Sequence, residues 1–232
     1  TVSANQGRSQ VVLKETAIPM DGPDSTAEKA SADEAGVIAC WSCKGPVTQV
    51  IPLCETCGAV QPPGQIDHFQ RLGLAVSFDV NVADLDQLYF DLQRHLHPDR
   101  FATRSPQEKA ISQLQATAIN DAYETLKEPL KRADYLVHLR GIGVLPEGCN
   151  LVNDQALLME TMELREALAE AETTDQVDVL SNRAQDDIKV CIEQLSKLFK
   201  DDDIEGACKL TARLKYLQKL SEETRIHRMK LI

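Results

Sequence analysis

Pro98 interrupts the chain between two amphipathic helical patterns and leaves the triplet His97-Pro98-Asp99 at the break. Upstream, Asn81 to Leu96 carries apolar residues at Leu85, Leu88, Tyr89, Leu92 and Leu96, one stripe of an α-helix. Asn81 suits the N-cap, and Asp84 puts negative charge in the first turn, where the helix dipole favours it. Proline has no N–H with which to continue a helix, and it biases the residue before it away from the α region. His97 and Asp99 are therefore expected on an exposed turn. Downstream, Ser105-Pro106 reads as a cap followed by proline at the first helical position, and Glu108 completes a capping box. A second helix is expected from about Pro106 to Lys127, with the stripe Ile111, Leu114, Ala118, Ala122 and Leu126. Two long helices joined by a short polar loop make an antiparallel hairpin with the triplet at its tip. Asp67 to Leu74 reads as a short helix able to close the hairpin's open side.

A second pattern lies nearer the N-terminus. Cys40-Trp41-Ser42-Cys43 and Cys54-Glu55-Thr56-Cys57 form C-x2-C-x10-C-x2-C. Each CxxC knuckle can turn two thiolates to one side, and two knuckles together supply four sulfurs for tetrahedral zinc. Lys44-Gly45 and Gly58 follow the knuckles, where backbone freedom is needed. The apolar content of this segment (Trp41, Val47, Val50, Ile51, Leu53) is too small to hold a unit of roughly twenty residues together. Metal binding would supply the missing folding energy. One structural Zn(2+) per chain is expected on Cys40, Cys43, Cys54 and Cys57, with no open coordination position. Two disulfides, bound iron or a redox pair are the alternatives. Cys149, Cys191 and Cys208 stand apart, and packing is the expected role of the last two.

Composition narrows the rest. Aromatics are 4% of the 232 residues, which argues for helices rather than a β-sandwich. The net charge of −11 argues against nucleic acid as a partner, which would want a basic face. The sequence has no apolar run of membrane-spanning length. Residues 1–36 are polar and aperiodic and are expected to be disordered. They lack the Arg-rich, acid-poor composition of a transit peptide, so any such peptide would lie upstream of Thr1. Gln61-Pro62-Pro63-Gly64 reads as a linker.

After Leu139 a glycine- and proline-broken connection leads to three helical patterns, about Asp154–Ala171, Asp175–Lys200 and Asp202–Met229. Their short polar joins favour an antiparallel three-helix bundle. In the first of them, Leu157, Thr161, Leu164, Leu168 and Ala171 fall within about 80° and suffice as a core face. Leu158, Met159 and Met162 fall roughly opposite, beside Glu163, Glu166 and Glu170. A bundle helix needs one apolar stripe. A second, built of adaptable side chains and rimmed by carboxylates, marks either a partner surface or a contact with the preceding domain.

The order of short helix, long helix, His-Pro-Asp loop and long helix containing Ile119-Asn120-Asp121-Ala122-Tyr123-Glu124-Thr125-Leu126 resembles a J domain. Pro129-Leu130-Lys131-Arg132-Ala133-Asp134-Tyr135-Leu136 and Leu157-Leu158-Met159-Glu160-Thr161-Met162-Glu163-Leu164-Arg165-Glu166 resemble one branch of that family, the HscB co-chaperones of iron–sulfur cluster assembly. The likeness runs from about Asp67 to the C-terminus, roughly seven-tenths of the chain. The N-terminal cysteines are similar to those of metazoan members. The resemblance implies an all-α protein, not an enzyme: a J-domain helical hairpin plus a C-terminal antiparallel three-helix bundle, with a small zinc-knuckle, rubredoxin-like module. The expected divisions are the module at 37–60, the linker at 61–66, the J domain at 67–140, the connection at 141–152 and the bundle at 153–232.

The resemblance further implies that His97, Pro98 and Asp99 stimulate ATP hydrolysis by a DnaK-type (70-kDa heat-shock) chaperone. It implies that the bundle binds an iron–sulfur scaffold protein through Leu158, Met159, Met162, Glu163, Glu166 and Glu170, joined by Tyr216 of the last helix. It implies the mitochondrial matrix, with the cytoplasm as a second compartment, and no membrane partner; a homo-oligomer stays open. One departure stands out. Many J domains carry a strongly basic second helix, whereas here Asp84, Asp86 and Asp91 oppose Arg94 and His95. The expected docking patch is therefore Arg94, Arg100 and Arg104, with solvated surface arginines as the alternative. The rival readings are a J protein for another client, a zinc-ribbon interaction protein and a His–Asp hydrolase; the last lacks a nucleophile in a recognisable elbow.

Overall fold

The computed structural model of the chain describes residues 36–140 and 155–231. The expected disordered segment (all but its last residue), the connection at 141–152 and Cys149 lie outside them. The first unit is a two-stranded antiparallel sheet, β1 (Val37–Ala39) and β2 (Pro46–Thr48), in which Ile38 pairs with Val47. Seven helices follow among the described residues: α1 (His68–Leu72), α2 (Val82–Leu96), α3 (Pro106–Lys127), α4 (Pro129–Leu139), α5 (Gln155–Ala169), α6 (Thr174–Lys200) and α7 (Ile204–Lys230).

Local chemistry sets the helix ends. The Asn81 side chain accepts from the Ala83 amide to start α2, and Ser105 with Glu108 closes a capping box on α3. Asp67 and Gln70 do the same for α1, which ends at Gly73 in the left-handed region, φ 72°. Between α2 and α3 the chain makes one 3-10 turn, Pro98–Phe101, and Phe101 is buried beneath it. The connection is thus anchored by an aromatic ring rather than being wholly polar.

The hairpin is held by a polar and aromatic ladder. The Tyr89 ring stacks on Tyr123 at 4.0 Å. The Tyr123 hydroxyl (2.7 Å) and Lys127 Nζ (3.3 Å) both donate to Asp86, while the Tyr89 hydroxyl and Gln93 amide both donate to Asn120 Oδ1. The α3 stripe is rotated from the expected one. Ile111, Ala122 and Leu126 are buried as expected, but Leu114 is 55% exposed and Ala118 only half-buried. Ile119, Tyr123 and the polar Ser112 and Gln115 occupy the core face instead, because α1 packs along that side.

Helices α6 and α7 form a long antiparallel pair, and α5 lies against both. Val177, Ala184, Cys191, Leu195 and Phe199 of α6 are buried, as are Ala207, Leu214, Leu217 and Leu220 of α7. Helix α4 packs against both α3 and α7 and so belongs to both halves. The join is completed by the loop after α1. The Phe78 ring stacks on Phe199 at 5.2 Å, and Asp79 accepts hydrogen bonds from Ser196 (2.9 Å) and Lys200 (2.6 Å).

Burial works against the Asp79 carboxylate, but the hydrogen bonds from Lys200 and Ser196 outweigh it and hold the group below its ordinary range. A folded-state value below the unfolded one gives stability that is complete above about pH 4 and is lost as pH falls through the folded value. Urea unfolding should therefore show a smaller loss of stability below about pH 4 in Asp79→Asn than in the native chain. Equal acid sensitivity of the two proteins would exclude this contribution.

Candidate functional site

The triplet sits at the free end of the α2–α3 hairpin. His97 ends α2: its amide donates to the Gln93 carbonyl, and its ψ of 134° is the extended value that a following proline requires. Its side chain then turns back, with Nδ1 accepting from the Asp99 amide at 3.3 Å and lying 3.6 Å from the Asp99 carboxylate. The Asp99 side chain is 92% exposed and that of His97 54%. Among the described residues the two side chains contact only each other's turn, and both face solvent at the tip of the hairpin.

The three expected docking arginines surround the loop with different duties. Arg100 donates to the Arg94 carbonyl at 3.1 Å and so satisfies an end carbonyl of α2. Arg94 forms a surface ion pair with Asp91 at 3.4 Å, and Arg104 is exposed. Asp86, counted in the sequence against a basic surface, is taken up by Tyr123 and Lys127 in the hairpin ladder. The acidic character of α2 that faces outward is correspondingly smaller than the sequence suggests.

On the bundle, α5 shows both of its stripes. Leu157, Leu164, Leu168 and Ala171 are buried, and Thr161 is half-buried with its hydroxyl bonded back to the Leu157 carbonyl. Leu158, Met159 and Met162 remain 40%, 55% and 61% exposed, and Glu163, Glu166 and Glu170 are exposed beside them. No other described element covers this face, so it is not a contact with the J-like unit. Tyr216 is half-buried and lines a cleft between α5 and α7 with Thr161, Arg165 and Arg213. Glu160 locks that cleft through a two-pronged ion pair with Arg213, at 3.0 and 2.7 Å, and these bonds hold its carboxyl below the ordinary range.

The four cysteines converge. Cys40 and Cys57 sulfurs are 3.7 Å apart, as are those of Cys43 and Cys54, and all four lie within 4.8 Å of one another. The two 3.7 Å separations are too long for S–S bonds of about 2.05 Å and match the roughly 3.8 Å that follows from tetrahedral metal–sulfur bonds of about 2.3 Å. The two knuckles share one design. The Cys40 and Cys54 amides donate to the Gly45 and Ala59 carbonyls, and the amides of Lys44 and Gly58 donate back to the Cys40 and Cys54 carbonyls. Both of those residues sit in the left-handed region, so in the first knuckle Lys44 takes the conformation that Gly45 was expected to supply. The quartet is a site able to bind one metal ion.

Residues 153–225 match the family described as the HSCB C-terminal oligomerisation domain, which spans the bundle. The human iron–sulfur cluster co-chaperone protein HscB is 33% identical over 97% of this chain and 99% of its own length. The chain belongs to the HscB family of iron–sulfur cluster co-chaperones. The Arabidopsis thaliana HscB homolog is 30% identical over 79% of this chain and 72% of its own. The crystal structure of the human protein covers 83% of this chain and 100% of its own, with a TM-score of 0.77 at 34% identity. The fold is thus that of HscB, and the chain is a J-type co-chaperone of iron–sulfur cluster biogenesis with a chaperone as partner. Its relatives are co-chaperones, not enzymes.

Several contributors were not singled out from the sequence. Gln61, expected to open a linker, is buried, and its side-chain amide donates to Cys40 Sγ. Gln115 of α3 is buried against it. Neither carries a periodicity or motif signal, since both are single polar residues whose partners are distant in sequence. The two stripes of α5 differ in what they hold together. Leu164→Ala should cost about 2–5 kcal/mol of stability, whereas Met162→Ala should change it by less than about 0.5 kcal/mol. Equilibrium unfolding checks both, and a large loss at Met162 would mean that its face is packed.

Proposed function

We propose that the chain joins two recognition events on one frame: the His97-Pro98-Asp99 loop stimulates the ATPase of a DnaK-type chaperone, and the α5 face carries an iron–sulfur scaffold protein to that chaperone. The observation that carries this reading is the uncovered second stripe of α5, Leu158, Met159 and Met162 rimmed by Glu163, Glu166 and Glu170. Large flexible apolar groups with charged borders are what an adaptable protein partner requires. Tyr216 adds an aromatic edge from α7 on the neighbouring side of α5. Arg94, Arg100 and Arg104 supply positive charge around the loop for an acidic chaperone surface, so docking weakens as salt rises. The triplet performs no bond chemistry of its own. It biases a partner that already has two states, and its contribution is the difference in its affinity for them.

In the same reading Zn(2+) occupies the four-cysteine site. Four thiolates close the coordination shell, so the ion supplies folding energy to a module with little core and leaves no position for a substrate. The protein works in the mitochondrial matrix, with a second population in the cytoplasm; fractionation that finds it in neither would reject this assignment.

His97→Gln should abolish stimulation of the chaperone ATPase while leaving scaffold binding and the melting temperature intact. The triple change of Leu158, Met159 and Met162 to Ala should weaken scaffold binding by at least about tenfold, as expected for large side chains central to an interface, with ATPase stimulation by the free chain preserved. Loss of both activities in either variant would mean that the two surfaces are not separate. Metal analysis should return one zinc per chain, reduced to none in Cys40→Ser.

A further inference from the structure

We infer that the metal centre is tied into the J-like hairpin through Gln61 and Gln115, so that the occupied site helps to hold α3 in place and metal loss loosens the element that displays the triplet. This rests on the reading that the four cysteines hold a metal. The path consists of three contacts. Gln61 Nε2 donates to Cys40 Sγ at 3.3 Å and to the Ala59 carbonyl at 2.8 Å, so both of its amide hydrogens are used inside the module. The Gln61 backbone carbonyl accepts from Gln115 Nε2, in the middle of α3, at 2.8 Å. Both glutamines are buried, at 3% and 4% exposure. One residue therefore touches a metal ligand with its side chain and the hairpin with its backbone.

Two further observations show that the module is docked rather than tethered. Trp41, between the first two cysteines, donates its indole N–H to the Val60 carbonyl at 2.6 Å. Val60 is fully buried and belongs to the same apolar core as Phe69 of α1 and Ile111 and Ile119 of α3. The first knuckle, residues 59–61 and the hairpin core thus form one continuous packing unit.

The physical consequence follows from how little else holds the module. Its own buried cluster is Cys40, Val47, Cys54 and Ala59, with Trp41 against it, so half of that cluster consists of metal ligands. Without an ion the knuckles lose their main source of folding energy. Gln61 then has no fixed sulfur to face. Gln115 is left as a buried amide whose partner has become mobile, and Val60 no longer seals Phe69. In the other direction, the Gln61 N–H offsets the negative charge that a tetrathiolate site accumulates, as outer-shell donors do at metal centres generally. Gln61 is therefore a positioning residue for the site, and Gln115 is the anchor that couples it to α3.

The test uses the full chain and hydrogen exchange, with metal content measured on the same samples. In the metal-loaded protein the amides of α1 and of α3 around Gln115 should be protected. Removal of the metal with a chelator should raise their exchange at least about tenfold while α6 and α7 stay unchanged. Gln115→Leu should retain the metal and abolish the response of α3 around position 115, while the response of α1, which runs through Val60, persists. Gln61→Leu should weaken metal retention in a chelator competition by about 10- to 100-fold. In the cobalt-substituted protein it should also shift the thiolate-to-metal charge-transfer band to lower energy, a change that a merely structural residue would not produce. A chain that holds one metal but shows the same α3 protection with and without it overturns the coupling alone. A chain that holds no metal overturns the coupling together with the reading of the cysteine site.

Discussion

Phe78 lies in the loop between α1 and α2, where it has contacts on two sides. Its ring stacks on Phe199 of the bundle at 5.2 Å, and the Arg132 guanidinium of α4 lies over it at 5.1 Å from its centroid. Arg132 is itself buried and bonded to the Leu126 carbonyl at the end of α3, and its Nε has no partner. A buried guanidinium with an unsatisfied N–H is unfavourable in isolation. The aromatic face and the nearby Asp79 carboxylate offset this, and desolvation still lowers the pKa of the Arg132 side chain. The arrangement places one ring from the loop between α4 and α6. The hairpin and the bundle are thereby fixed to each other through packed side chains, with Asp79–Lys200 and Arg140–Asp202 at the rim.

That join gives the two exposed surfaces a defined relation. The triplet lies at the far end of the hairpin, and the α5 stripe lies on the outer side of the bundle. Neither surface needs the other to form. Each depends on its own helix ends and caps, and α4, shared between α3 and α7, carries the relation between them. All four side chains of the rim ion pairs are more than a third exposed, so solvent screens them and they steer the geometry more than they stabilise it. The apolar contact of Phe78 and Phe199 is the stronger contributor to the orientation.

Much of this architecture was legible in the sequence because it is punctuated locally. Asn81, Pro98 and the Ser105–Glu108 box mark helix ends by chemistry that acts within four residues. The second stripe of α5 was visible because one helix carried more apolar faces than its bundle could use. The cysteine quartet was visible through its spacing. The phase of α3 was not. Ile111, Ala122 and Leu126 lie on both candidate stripes, and the residues that would have decided between them, Ser112 and Gln115, are polar yet buried. Their burial follows from what α1 and the cysteine module bring to that face, which is tertiary information. Phe78 and Gln61 were missed for the same reason: each sits in an aperiodic segment and draws its meaning from a partner far along the chain.

The α5 stripe also raises a problem that the charge pattern resolves. A row of Leu158, Met159 and Met162 in water invites association with any apolar surface, including the same row on another copy. Glu163, Glu166 and Glu170 border the row, and the whole chain carries a net charge of −11. Bringing two such faces together would set carboxylate against carboxylate across a drying interface, where like charges are costly. A partner with a basic border meets the opposite situation and gains from every pair it matches. In the proposed reading the carboxylates disfavour self-pairing through this row and favour a basic partner, while the methionines supply contact area that can adapt to it.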